Sequence, residues 1–475
     1  MSEVRSRSTK RAGEFLLLPC MLGLAIVTSG CGSYTSGTST APSTAATSKV
    51  TTQVKIGDAP AARVISFEVA VGPVSLTDDA GNTSTVLAKA QRIELSHLSG
   101  TNLPLSLLKI TQGTYKAASL TISNPEVTFI NSAGQPQHIE PSFNQNVNIP
   151  FSPSLSISGA SAVINIDFDV SKSLTFDASG NVTGVNISAS SFTVSTAAVA
   201  AEDKQGHDDG ELEDTTGVVT AVSGSSFNLT VADTGAQLTF ATDSKTEFED
   251  GASLASLVVN SIVTVEGATR ADGSLYARKV EGLENETGAE LEGTITVVAG
   301  SPATSLTLVA DHGTGSGVDD SKIGASATVN VSGARFEVKT GDIDTKGLGT
   351  LPSSEFPFDS ASVHAGQRVE IDSHDAMTGT TLSAERVRLQ QQALVGIVSG
   401  LTGATSSGPA TFTLSLPSDA AFSQLSGSTS LQIVWQPSTD LHGLTSVSNG
   451  DTIRVRGLVF FNGPAASMIA RRIDK

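Results

Sequence analysis

The chain has 475 residues, with 47 Asp and Glu against 29 Lys and Arg and a net charge of −18 at neutral pH. That sign opposes phosphate neutralisation, and no basic stripe with interleaved aromatics occurs, so a nucleic-acid partner is not expected. Mean hydropathy is +0.06, with one long apolar run, which excludes a multispanning membrane protein; at roughly 150 residues each, about three domains fit.

The N-terminus divides into three zones. Arg5, Arg7, Lys10 and Arg11 precede an apolar stretch from Phe15 to Val27, which closes at Thr28-Ser29-Gly30-Cys31. This is the pattern of a secretory signal. The apolar stretch of about 13 residues is shorter than the roughly 20 needed to cross a bilayer core, so cleavage is expected rather than a permanent span. Small residues directly before a cysteine resemble the lipobox of bacterial lipoproteins, with Thr28 where that family usually carries Leu or Val. The resemblance implies that the Cys31 thiol receives a diacylglycerol and becomes the first residue of the mature chain. Cleavage by an ordinary signal peptidase, which also needs small residues at its cut site, is the alternative.

Cys20 lies inside the leader, so a lipidated mature chain has neither a free thiol nor a disulfide and relies on core burial and sheet hydrogen bonds. Losing four cations and two anions with residues 1–30 takes the net charge to −20. Residues 31–50, rich in Ser, Thr, Gly, Ala and Pro, read as a flexible tether reaching on the order of 25 Å.

From Thr51 the pattern turns to period two, the signal of a half-buried strand. Ile65, Phe67, Val69 and Val71 share one face against Ser66, Glu68 and Ala70, and Ile164, Ile166, Phe168 and Val170 do so against Asn165, Asp167 and Asp169. Turns are predicted at Asp79-Ala80-Gly81-Asn82, Ser132-Ala133-Gly134 and Asp177-Ala178-Ser179-Gly180-Asn181, where Gly or Asn accepts positive φ. About seven to nine strands over residues 51–199 predict an antiparallel β-sandwich. Val54-Lys55-Ile56-Gly57-Asp58-Ala59-Pro60 and Gly113-Thr114-Tyr115 resemble an uncharacterised family found at the N-terminus of bacterial lipoproteins, which implies architecture and no activity.

Residues 200–216 crowd Glu202, Asp203, Asp208, Asp209, Glu211, Glu213 and Asp214 together and read as a solvated acidic linker, with calcium as the functional alternative. Beyond it lies a degenerate repeat. Its copies open at Gly217-Val218-Val219, Gly293-Thr294-Ile295 and Gly396-Ile397-Val398. Each then places Asn260, Gly366 or Gly450 before a strand and closes at Ala277-Arg278-Lys279-Val280, Ala384-Glu385-Arg386-Val387 or Ala470-Arg471-Arg472-Ile473. The Asn or Gly predicts left-handed backbone. Five or so strands per copy with no covering helix predict three small β-barrel-like repeats, over 217–283, 291–390 and 394–475. The copies resemble a second uncharacterised bacterial family of short all-β repeats. In the middle copy, Asp311 to Asp320 and Thr340 to Asp359 read as long loops.

No G-x-S-x-G elbow, Walker loop, H-E-x-x-H or C-x-x-C is present. Asp167 and Asp169 share a strand face at the spacing of a carboxylate pair, and outward polar alternation explains them more simply. Asp58 is read as a turn residue accepting backbone hydrogen bonds, with a ligand role as the alternative. His364 and His374 lack metal-ligand spacing. The aromatics that could form a sugar platform are Tyr115, Tyr276 and Trp435, and Trp435 reads as a buried strand residue.

The whole is therefore expected to be all-β, a sandwich followed by three barrels, with lipidation at Cys31 and no catalytic, cofactor or metal residue assigned. The expected role is a lipid-anchored bacterial cell-envelope protein, at the outer membrane or cell surface, of adhesion or scaffold type. Its expected partners are the membrane, through the lipid, and an envelope protein or glycan. A carboxylate-based envelope hydrolase or carbohydrate-active protein and a divalent-cation-dependent binding module are the alternatives.

Overall fold

The computed structural model describes residues 49–59, 62–98, 102–199, 210–232, 234–249, 252–282, 288–340, 343–402 and 409–475. The leader, Cys31, the tether up to residue 48 and the acidic residues 200–209 lie outside them. Among the described residues the fold is all-β with one α-helix, Ala421–Ser426, and no helix is long and apolar enough to cross a membrane.

The period-two segments form a two-sheet sandwich. One sheet orders the strands Phe192–Ala198, Ser161–Asp169, Lys49–Ala59 and Leu103–Thr111. The other is built around the long strands Val64–Asp78 and Gly113–Ile130. Pairing within these sheets is antiparallel except between Lys49–Ala59 and Ser161–Asp169, which run parallel. Ile164, Ile166, Phe168 and Val170 point into the core with Phe67, Val69 and Val71. The predicted turns form: Gly81, Gly134 and Gly180 have φ of +89°, +74° and +77°, and the Asp78 and Asp177 carboxylates accept the N–H groups of Asn82 and Asn181.

Two expectations for this region need correction. Asp58 is not at a turn: its backbone continues the first strand, paired in register with Phe168. Ser66 and Glu68, expected to face water, are 1 % and 4 % exposed, because Ser66 lies beside Gly324 of the middle barrel and Glu68 pairs with Arg92.

Three five-stranded units follow. Numbered within each unit, the first has strands Glu211–Ser223, Ser226–Val231, Gln237–Ala241, Ile262–Thr269 and Leu275–Gly282. The last has Gln391–Ser399, Ala410–Ser415, Ser430–Trp435, Thr452–Asn462 and Ala465–Asp474. In both, the hydrogen-bonded order is 1-2-3-5-4 and back to 1, with strands 3 and 5 parallel, so the barrel closes. This is the connectivity of the OB-fold, a five-stranded Greek-key barrel.

The middle unit has strands Ala289–Gly300, Ala303–Gly315, Ser326–Asn330 and Arg368–Ser373, and its fifth strand is broken into Thr381–Ser383 and Arg386–Leu389. The first piece pairs with strand 3 and the second with strand 4. The physical reason lies at one position of strand 4. In the closed barrels this is Gly267 or Gly457, where an added Cβ would sit 2.5 or 2.1 Å from a strand 5 carbonyl oxygen. The middle unit has Ser373 there, and its pairing with strand 5 stops one residue earlier, at Asp372 and Arg386.

Asn260, Gly366 and Gly450 take φ of +77°, +91° and +91°. Their N–H groups each donate to strand 1, at Val219, Ile295 and Val398, at 2.8 Å. The opening glycines Gly217, Gly293 and Gly396 are required by strand approach, since a Cβ there would lie 2.1–2.5 Å from a strand 2 carbonyl oxygen. Gly293→Ala is accordingly expected to cost about 2 kcal/mol, because backbone must move. Urea unfolding checks it against Gly463→Ala, where nothing lies within 4 Å and only the positive φ resists, at about 1 kcal/mol.

The acidic stretch and the first long loop also differ from expectation. Residues from Glu211 onward are strand, not linker, because Leu212 and Thr215 are buried. Asp311 to Gly315 likewise extend strand 2 of the middle barrel, with His312 to Gly315 paired with Ala289 to Glu292.

The units are not independent beads. The sandwich and first barrel share one apolar cluster, in which Phe67 and Phe168 join Phe227 and Val265. Polar groups close their contact: Thr269 Oγ1 donates to Gln53 Oε1 at 3.0 Å, and the buried Lys55 Nζ donates to the Glu211 carbonyl at 3.1 Å. Leu458 and Phe460 of the last barrel enter the core of the middle one, and Gln367 Nε2 donates to the Val459 carbonyl at 2.8 Å. Ile65 and Ile130 of the sandwich, Val309 of the middle barrel and Ala421 of the last form a fourth small core.

Candidate functional site

Alternation puts the charged residues of the middle barrel on its outer face. On strand 1, Leu291 points inward while Glu290 and Glu292 point out; on strand 4, Val369 and Ile371 point in while Arg368, Glu370 and Asp372 point out; Arg386 and Arg388 of the fifth strand do the same. Register places Glu290 opposite Asp372 and Glu292 opposite Glu370, and these opposite Arg386 and Arg388. Such a face ordinarily meets water, yet Glu370, Arg388 and Asp311 are only 4–6 % exposed, because the neighbouring domains cover it.

The result is a buried seam of charge. Arg388 Nη2 contacts Glu370 Oε1 at 2.6 Å and Asp372 Oδ2 at 2.9 Å, while its Nη1 reaches across to Glu281 of the first barrel at 3.2 Å. Lys339 also pairs with Glu281, and Gln390 donates to the second oxygen of Glu370. Arg368 is clamped by both oxygens of Asp311 at 2.9 Å and by Glu292 at 2.7 Å. One carboxylate oxygen from each of Glu290, Glu370 and Asp372 lies within 4.8 Å of the others.

Electrostatics follow from this crowding. Burial pushes the Glu370 carboxyl up to about 7 against the pull of Arg388. Burial drives Glu290 well above the usual carboxylate range, with Glu370, Glu292 and Asp372 adding to the rise. Burial lowers the guanidinium of Arg368, and Asp311 and Glu292 more than reverse the effect. Six carboxyls, of Glu281, Glu290, Glu292, Asp311, Glu370 and Asp372, thus meet four cations, of Lys339, Arg368, Arg386 and Arg388. This excess of carboxyls adds to burial in favouring the protonated forms of Glu290 and Glu370.

At the Arg368 end, the seam opens into a cavity of about 260 Å³ where the sandwich, the middle barrel and the last barrel meet. Ile65 comes from the sandwich, Asp311 and Arg368 from the middle barrel, and Gln391, Phe422 and Arg456 from the last. Domain junctions with largely apolar walls and a few convergent polar groups are where small-molecule sites concentrate.

The residues singled out from sequence lie elsewhere. Asp167 and Asp169 sit on the sandwich strand Ser161–Asp169. Burial raises the Asp167 carboxyl, opposed by Arg454 of the last barrel; burial also acts on Asp169, but hydrogen bonds from Lys172 and Ser171 hold it below the usual range. Tyr115 is buried, its hydroxyl donating to the Thr111 carbonyl, and the ring of Tyr276 is covered by Arg270 at 4.3 Å. Trp435 is a buried strand residue, as expected. His364 stacks on Phe461, and His374 pairs with Glu385. The seam itself was visible as alternating charge in Glu290-Leu291-Glu292, Arg368-Val369-Glu370-Ile371-Asp372 and Arg386-Val387-Arg388-Leu389, three stretches far apart in the chain.

Comparison with known families gives two matches. Residues 49–184 match the domain of unknown function DUF4382, and residues 216–281 match the domain of unknown function DUF5666. No curated protein matches the chain. Among solved structures, the chain is similar to a deletion variant of the single-stranded DNA-binding protein from Thermus aquaticus, with 15 % identity, a TM-score of 0.15 and coverage of 40 % of this chain and 93 % of that one. A multidomain protein with nucleic acid binding domains from Streptococcus pneumoniae shows 12 % identity, a TM-score of 0.11 and coverage of 55 % and 72 %.

Proposed function

We propose that this protein is a lipid-anchored component of the bacterial cell envelope, of binding or scaffold type, that captures a partner or ligand outside the cytosol. The observation that carries the binding half of this reading is the junction cavity, since an occupant there touches three domains at once. The leader ending at Cys31 and the acidic mature chain support export and anchorage at the outer membrane or cell surface. An envelope protein or glycan is the proposed partner, and the charge balance argues against nucleic acid.

In this reading the chain is built from a domain of the DUF4382 type and three copies of the DUF5666 type. The second and third copies are supported by the hydrogen bonds that recur at Asn260, Gly366 and Gly450. Labelling cells with a palmitate analogue tests the anchor. The wild-type chain is expected to take up label and Cys31→Ala to lose it; equal labelling of the two overturns the anchor.

A further inference from the structure

We propose that the tip of the last hairpin is a self-modification site, at which Asn462 converts to aspartate and isoaspartate and loosens a contact between the last and middle barrels.

The sequence contains two Asn-Gly steps, Asn449-Gly450 and Asn462-Gly463. Glycine after asparagine leaves the main-chain nitrogen least hindered for attack on the side-chain amide, since no Cβ shields it. The fold treats the two steps oppositely. Gly450 N–H donates to the Val398 carbonyl at 2.8 Å, and the Asn449 side-chain oxygen accepts the Leu401 N–H at 3.0 Å. Attacking nitrogen and attacked amide are thus both tied down.

Asn462 ends the strand Thr452–Asn462 and pairs with Ala465 across the loop Gly463-Pro464. All four residues are exposed. Gly463 N–H makes no hydrogen bond to any described residue, and a Cβ added at Gly463 would meet nothing within 4 Å. The Asn462 amide is restrained by one surface hydrogen bond, from Nδ2 to the Ser354 carbonyl at 3.1 Å, whose net worth is small.

In the reaction the Gly463 nitrogen gives up its proton, bonds to Asn462 Cγ and expels the side-chain nitrogen as ammonia. Water opens the resulting five-membered imide at either carbonyl, leaving aspartate or isoaspartate. Amide and water become carboxylate and ammonium. The atom lost is the donor to Ser354, and the carboxylate turns an acceptor and a negative charge toward that carbonyl. Ser354 precedes Phe356, whose ring meets Phe460 of the same hairpin edge-on at 5.4 Å, so the change falls on a contact between two barrels.

Peptide mapping by mass spectrometry of the purified full chain held at pH 8 tests the site. Asn462 is expected to convert roughly ten-fold faster than Asn449, which must first break its two backbone bonds. In urea, which removes those bonds, the two rates are expected to fall within about three-fold of each other. Equal rates in the folded chain, a faster Asn449, or a ten-fold contrast that persists in urea overturns the proposal. Asn462→Asp supplies one product directly. Hydrogen exchange at the Ser353 and Phe356 amides, both hydrogen-bonded within the loop, is expected to quicken in this variant, and unchanged exchange overturns the loosening of the contact.

Discussion

Replacing Arg388 with methionine is expected to lower the unfolding free energy by about 3–5 kcal/mol at pH 8, the range for breaking a buried ion pair from one side. The guanidinium is the common partner of Glu370, Asp372 and Glu281, and methionine fills part of the volume while leaving those carboxylates without it. Lys339 still reaches Glu281 and Arg386 still reaches Asp372, so Glu370 suffers most. Arg335→Met supplies the contrast. Its side chain is 59 % exposed and pairs with Glu385 at the surface, and its loss is expected to change stability by less than about 1 kcal/mol. Urea midpoints at constant m value measure both. Equal, small effects would show that the seam is solvated rather than buried.

Stability is expected to fall as pH rises from about 5 to 8, opposite to the behaviour of a fold held by ionised carboxylates. Glu370 and Glu68 are pushed up to about 7 from 4.5, chiefly by burial, and Glu290 is raised well above it. The folded chain therefore keeps protons that the unfolded chain releases near 4.5. That contribution is complete below the unfolded value and is lost as pH passes through the folded one. For Glu370 alone it is on the order of 3 kcal/mol.

The groups acting on Glu370 are Arg388, Asp372, Glu292 and Lys339; on Glu290 they are Glu370, Glu292, Asp372 and His312; on Glu68 they are Arg92, Glu126 and Glu94. Surface carboxylates such as Asp78, Asp177 and Asp319, held low mainly by side-chain hydrogen bonds, work the other way and lose their contribution as pH falls through their folded values. A maximum near pH 5 follows. Thermal midpoints across pH 4–9 check it, and Glu370→Gln is expected to flatten the slope between 5 and 8. A midpoint that climbs steadily to pH 8 would refute the protonated seam. The two predictions are linked: at pH 5 Glu370 lies on the protonated side of its folded value and leaves no bare charge when Arg388 is gone, so Arg388→Met should cost less at pH 5 than at pH 8.

Much of the architecture is legible in single stretches of the chain. Alternation at Ile164 to Val170 reports a strand because side-chain direction in a strand depends only on residue parity. The left-handed positions at Asn260, Gly366 and Gly450 are legible because so few residue types tolerate positive φ. Where the reading went astray, residues distant in the chain had changed the solvent. Ser66 and Glu68 look outward by pattern, but Gly324 and Arg92 cover them. Glu211 to Thr216 look like linker by charge, but Leu212 and Thr215 carry the strand into the first barrel.

The amino-acid sequence by itself determined the all-β class, the alternation of the strands and the turns, because each depends on residues close together in the chain. Only the tertiary structure decided that the four domains pack as one body, that the charged stripes of residues 290–292, 368–372 and 386–388 meet in a buried seam, and that a cavity opens at its end. Those features arise where segments tens to hundreds of residues apart exclude water from one another, and local pattern carries no record of which surfaces will meet.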